Sequence, residues 1–219
     1  EIGTVDSGTF TPSQNSDDVT ANLTLRTIST GNDIAFGYST YKYCAGILFS
    51  NVTIPVGATI TKAYVKLRAS NDNNDMGDLY ILAQSQSGGN PATFDTSYYD
   101  FIGRNELIDT ITVSWKNPVQ TGWTSGNDYY TPSLIEVVQR QIDSAQWASG
   151  NNIVLFIYKV LPAGTYLTAQ AYDDAGTNEP ELYVEWSTTT GITLGRAATC
   201  DNEVYVANKH NTAPITHVF

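Results

Sequence analysis

"AYDDAGTNEPELYVEW", Ala171 to Trp186, is the stretch on which the reading of this chain turns. Pro180 has no N–H to donate to a ladder, so a strand begins at Glu181. From there apolar and polar residues alternate. Leu182, Val184 and Trp186 face a core, while Glu181, Tyr183 and Glu185 face outward. Asp173, Asp174 and Glu179, with Gly176 and Asn178 among them, read as the turn of a hairpin. A polar turn followed by a period-two strand is the pattern of an all-β protein, and it recurs along the chain.

"VTANLTLRTI" (19–28), "YKYCAGILFSNVTI" (41–54), "ATITKAYVKLRAS" (58–70) and "GDLYILAQS" (77–85) are β-branched or aromatic runs bounded by Gly, Pro, Asn or Asp. "IDTITVSW" (108–115), "NNIVLFIYKV" (151–160) and "TYLTAQAYD" (165–173) continue the series. The spacing of these short strands predicts an antiparallel sandwich rather than a βαβ fold. One helix is expected over about 132–147, with Thr131 as its N-cap, Pro132 at its first position and Gly150 ending the segment. Its stripe of Leu134, Val138 and Ile142, with Ile135 and Val137 beside it, would cap one end of the sandwich. Residues 1–187 therefore read as one module. Residues 188–219 read as a linker and a strand-rich C-terminal extension, either an inter-subunit strand or the start of a second domain.

The 219 residues carry 11 Lys and Arg against 22 Asp and Glu, a formal net charge of −11, which would repel nucleic acid and anionic membranes. Only 15% of residues are charged, and the 14 Tyr stand among many Thr, Ser, Asn and Gly, a profile of secreted β-proteins. No run of 18 apolar residues predicts a membrane span. A start at Glu1 rather than Met fits either a mature product after signal removal or a chain trimmed at that point. Asn22-Leu-Thr and Asn51-Val-Thr are sequons, so Asn22 and Asn51 are candidate glycan acceptors. Cys44 and Cys200 are too few for a disulfide framework; they form one bridge, an intermolecular bond, or two buried thiols.

The turn at Ile54 to Ile60 (IP-x-GA-x-I), the W-x-SGN ending at Trp147 to Asn151, and the closing Tyr172-Asp173 to Pro180-x-Leu182 corner together resemble the DNRLRE-type extracellular modules. The resemblance covers about residues 16–187. It implies a jelly-roll β-sandwich similar to carbohydrate-binding modules, in bacterial, archaeal or phage surface proteins, and it implies no enzymatic activity.

Catalytic motifs are missing from the sequence. His210 and His217 are the only histidines, no G-x-S-x-G occurs, and their spacing from Cys200 fits no standard zinc pattern. "DNNDMG" at Asp72 to Gly77 fails as an EF-hand because positions five and twelve are Met76 and Ala83; a hairpin turn explains it instead. In a jelly roll the first and last strands meet, which would bring Asp17 and Asp18 near Asp173 and Asp174. A solvated turn is the plainer reading of that corner, and a structural Ca²⁺ held by these four carboxylates is the sharper one. For sugar stacking the candidates are Tyr98, Tyr99, Trp123, Tyr129 and Tyr130. Trp115, Trp147 and Trp186 are assigned to the core, and Trp123 is expected to be exposed.

The expectation is a non-enzymatic, secreted structural or adhesive subunit of an extracellular or virion surface assembly. Its partners would be copies of itself, joined head to tail through the extension. The alternatives are a glycan-binding module and, third, an enzyme. A competing reading of the extension folds it back on its own module through Cys44–Cys200.

Overall fold

The computed structural model describes residues 3–73, 78–104, 108–116, 122–159, 166–172 and 178–188. Thr4–Thr188 form one compact unit. Its strands are β1 (Thr4–Phe10), β2 (Asp18–Asn22), β3 (Thr27–Ser29), β4 (Asp33–Tyr38), β5 (Lys42–Phe49), β6 (Thr59–Arg68) and β7 (Leu79–Gln84). Helix α1 (Tyr98–Gly103) follows, then β8 (Ile108–Trp115), β9 (Asp128–Tyr130), α2 (Ile135–Ile142), β10 (Ile153–Tyr158), β11 (Tyr166–Gln170) and β12 (Glu181–Thr188).

These strands form an all-β sandwich. The first sheet runs β1-β12-β6-β9 and the second β11-β4-β5-β10-β7-β8, with β2 bonded to β5 and β3. Set aside β2, β3, β4 and β11, and the sheets become β1-β12-β6-β9 and β5-β10-β7-β8. That order, with the chain passing between sheets as it does, is the two Greek keys of a jelly roll. β12 begins at Glu181, directly after Pro180, and buries Leu182, Val184 and Trp186 as its alternation predicts. First and last strands do meet: β1 pairs antiparallel with β12 along its length.

Topology corrects two hairpins. β6 and β7 lie in different sheets, as do β11 and β12, so the polar stretches after Ser70 and Gln170 are crossovers. Two described residues of this Asn/Asp-rich stretch bond distant backbone. Asn71 Oδ1 accepts from Thr168 N (3.0 Å), and Asp72 Oδ1 accepts from Ser125 N (2.8 Å).

The helix is also shorter than expected. α2 begins after Leu134 with no side-chain cap. Thr131 instead accepts a hydrogen bond from Val65 N (3.0 Å), tying the approach to the helix onto β6. The stripe itself is buried as read: Leu134, Val138 and Ile142 sit in the core between the sheets. A second helix, α1, went unread because it is only six residues long; Ser97 Oγ caps it by accepting from Tyr99 N and Asp100 N. The two motifs at Ile54 and Trp147 pack together. Trp147 Nε1 donates to Ile54 O (3.1 Å), and Gly150, at φ +99°, donates to Val52 O (2.9 Å).

A second apolar cluster lies on the outer face of the larger sheet, where β2 extends the face beside β5 and α1, with Phe94 before it, covers it. Val19, Leu48, Leu82, Phe94, Phe101 and Phe156 belong to it. β5 and β10 are therefore buried on both faces, which is why "AGILF" and "IVLFI" are continuous apolar runs. Gly46 makes this closure possible. A Cβ there would lie 2.7 Å from Phe94 Cζ and 2.9 Å from Phe101 Cε2. Gly46→Val is expected to overpack this layer and lower stability by about 1–3 kcal/mol in urea denaturation, without loss of the β-sheet circular dichroism signal.

Candidate functional site

The outward side chains of β6, β12 and β9 make one continuous polar and aromatic surface. Alternation sets it up: while Ala63, Val65 and Leu67 point inward, Lys62, Tyr64, Lys66 and Arg68 point out. Register then brings partners opposite one another, Glu185 to Lys62, Tyr183 to Tyr64 and Glu181 to Lys66 on one side, Tyr130 to Lys66 and Asp128 to Arg68 on the other. Three ion pairs result. Lys62 Nζ lies 3.3 Å from Glu185 Oε1, Arg68 Nη1 lies 3.1 Å from Asp128 Oδ1, and Lys66 pairs with Glu181.

Between the pairs runs a row of tyrosines. Tyr64 stacks on Tyr183 (centroids 5.1 Å apart, 26°) and meets Tyr130 edge-on (5.5 Å, 78°). Lys62 Nζ sits 5.8 Å and 5.3 Å from the Tyr64 and Tyr183 ring centres, within cation–π range. Tyr183 donates its hydroxyl to Glu185 Oε1 (2.8 Å), and Tyr130 is 55% exposed. The hydrogen bond from Tyr183, then that from Lys62, holds the Glu185 carboxyl below its ordinary value. The same bond to Glu185 raises Tyr183 and, with the ionic attraction, Lys62. Partial burial works against Lys66, yet its bond to Glu181 keeps it above its ordinary value. Each of these shifts favours the ionised form of Glu185, Lys62 and Lys66 and the neutral phenol of Tyr183.

Three cations and three anions cancel along this strip, in a chain of net charge −11. Ring faces, phenol hydroxyls, ammonium donors and carboxylate acceptors lie together on it. Sugar hydroxyls donate and accept at once, so such a surface suits a neutral glycan. Tyr130 was a candidate from sequence. Tyr64 was missed, and Tyr183 was read only as outward-facing; the signal lay in the alternation of "AYVKLR" and "ELYVEW", but not in which strands are neighbours.

The other candidates fall elsewhere. Trp123 is a correction: it is 1% exposed, not a surface residue. Its ring stacks on Tyr129 (4.2 Å, 22°) and meets Phe36 and Trp115 edge-on, and its Nε1 donates to Thr168 O (3.0 Å). Loop residues with this much ring area are drawn inward when the sandwich end needs filling. Tyr129 is committed to the same cluster, its hydroxyl accepting from Thr124 N (2.8 Å) and donating to Gly122 O (2.5 Å). Tyr98 and Tyr99 stand apart on α1, Tyr99 80% exposed. Trp115, Trp147 and Trp186 are buried as assigned.

Asp17 is buried inside a cage of donors. Oδ2 accepts from Ser13 N (2.9 Å), Ser13 Oγ (2.8 Å) and Ser50 Oγ (3.2 Å), and Oδ1 accepts from Thr93 Oγ1 (2.6 Å) and Gln14 Nε2 (3.4 Å). Those donors satisfy its lone pairs, which makes Asp17 a structural hub. Asp18 points the other way and accepts from Tyr172 N (2.8 Å), which does bring β2 beside the closing corner. Asp173 and Asp174 lie outside the described residues. Among the described residues no three His, Cys, Asp or Glu side chains cluster as a metal site.

Asn22 is a second correction. It is 8% exposed, and Oδ1 accepts from Thr24 N (3.0 Å) and Leu25 N (2.9 Å), closing the turn after β2. Asn51 is exposed in a left-handed turn (φ +50°). Cys44 is a free, buried thiol, pushed up to about 12 by burial. Its expected partner Cys200 lies outside the described residues, as does the extension from residue 189 onward. No protein-family model matches the chain, and no curated protein matches it.

Two outcomes follow from these placements. Burial alone would raise the Asp17 carboxyl, but the bonds from Thr93, Ser13 and Gln14 outweigh it and leave the value lowered. A lowered folded-state value stabilises the fold fully above about pH 4 and fades as pH falls through it. Asp17→Asn is expected to cost on the order of 2 kcal/mol at neutral pH and to flatten the acid limb of a pH–melting profile. In material secreted from a glycosylating host, peptide mass spectrometry is expected to find glycan on Asn51 and none on Asn22.

Proposed function

We propose that this chain is a non-catalytic, glycan-recognising module of an extracellular or virion surface assembly, and that it binds through the Tyr183–Tyr64–Tyr130 row. The observation that carries the reading is the charge-neutral strip of three tyrosines and three ion pairs on the outer face of the four-stranded sheet. A paired charge is cheaper to cover than a lone one, because its partner replaces part of the lost water. Neutral polysaccharides satisfy both the rings and the hydroxyl-binding groups. The acidic remainder of the surface disfavours polyanionic glycans. The resemblance to DNRLRE-type modules supports the same reading through its carbohydrate-binding-module-like fold.

A glycan array followed by calorimetry on the best hit tests this. Tyr64→Ala, Tyr130→Ala and Tyr183→Ala are each expected to weaken binding about fivefold, near 1 kcal/mol, with the melting temperature retained and the glycan recovered unhydrolysed. Failure of the wild-type chain to bind any neutral glycan, or binding indifferent to all three substitutions, would overturn the reading.

A further inference from the structure

β8 is the last strand of the larger sheet, and among the described residues no strand pairs with its outer edge. Helix α2 packs beside it and leaves a groove. Two hollows lie along that groove, of about 280 Å³ and 400 Å³. Ile111 lines the first with Gln139, Arg140 and Asp143, Val113 lines the second with Ser133, and Ile135 and Glu136 border both. Ile111 and Val113 are half-buried and two residues apart, so they share one face of the strand at a spacing of about 7 Å. One wall is thus an open strand edge, the floor is apolar with a two-residue period, and the far rim is the polar side of a helix. An extended peptide fits such a groove as an added strand, with its alternate side chains in the two hollows.

We infer that the β8–α2 groove takes residues 203–208 of a second copy of this chain, an assembly contact separate from the glycan face. That segment, "EVYVAN", lies outside the described residues and carries Val204 and Val206 at the period of the hollows. Charge agrees as well. Glu136 and Asp143 are exposed on the helix rim, and Arg140 is held by Asp109 (3.3 Å). Lys209, three residues beyond Val206, supplies the cation. Thr188 leaves from the four-stranded sheet, one strand in from its β1 edge, whereas β8 ends the other sheet. The intervening chain spans up to about 50 Å when extended, enough to reach a neighbour. Donor and acceptor are different surfaces, so the contact is heterologous and propagates into filaments unless a ring closes.

Sedimentation velocity of the full chain over a concentration series tests the inference. The wild-type chain is expected to self-associate, and Val204→Asp/Val206→Asp to sediment as a monomer with an unchanged melting temperature. Glu136→Lys on the groove rim is expected to weaken association at least several-fold. The free peptide Asp201–Lys209 should dissociate wild-type assemblies, while the same peptide carrying Asp at both valines should not. Tyr64→Ala should leave association intact, which separates this result from failure of the glycan reading. A wild-type chain that stays monomeric throughout, as when the segment occupies its own groove, would refute the inference. So would association that survives both the double substitution and Glu136→Lys.

Discussion

β5 and β10 are covered on both faces, and most of the molecule is arranged around that double burial. On the inner side Ile47, Phe49, Ile153 and Leu155 meet the four-stranded sheet. On the outer side Leu48, Val154 and Phe156 meet β2 and the rings of Phe94 and Phe101. The missing side chain at Gly46 is what lets those rings approach the sheet. This second layer needs its own fastening, because its cover is loop and short helix. Arg104 supplies part of it, donating to Asp100 Oδ2, Gln84 Oε1, Ala92 O and Thr93 O from a nearly buried position. Thr93 in turn donates to Asp17, whose own carbonyl accepts from Leu48 N on β5 (2.6 Å). Buried polar groups here specify the position of the cover, each satisfied by a named partner.

Over β5 and β10 the larger sheet is covered by its own chain, whereas the outer face of β12, β6 and β9 is a row of partly exposed side chains. The inward residues of these strands are committed to the core, so the chemistry of this face resides in the residues between them. Cross-strand neighbours matter more than any one of these side chains. Lys62 alone is a solvated ammonium; opposite Glu185 and beside two phenol rings it becomes part of a fixed array of donors, acceptors and ring faces. The ion pairs are exposed enough that they add little to stability. Their consequence lies in presenting a neutral, ordered strip on an acidic protein.

Local sequence reaches the strands but not their pairing. Alternation carried the strands, the start of β12 after Pro180, the outward set Glu181, Tyr183 and Glu185, and the burial of Trp115 and Trp186. Those are properties of one segment, because successive Cβ atoms point to opposite faces whatever the partner. The helix stripe was legible for the same reason, although its start was not: Thr131 had a stronger use in bonding Val65 N than in capping.

Which strands are neighbours is not a local property, and what was misread depends on it. The turns after Ser70 and Gln170 look like hairpin turns in sequence, since a polar Asn/Asp cluster serves a crossover as well as a hairpin. Trp123 sits in a polar, Gly-rich loop and reads as exposed; the arrival of Phe36, Trp115 and the Thr168 carbonyl from three other parts of the chain, with Tyr129 from the end of its own loop, buries it. Asp17 reads as a free carboxylate until Ser50 and Thr93 are brought to it. The sequence by itself determined the sheet-forming pattern, the face each strand residue takes and the acidic, weakly charged surface. Only the tertiary structure decided the partners, because side-chain periodicity records the direction of one residue, while a site requires residues from β6, β9 and β12 to meet.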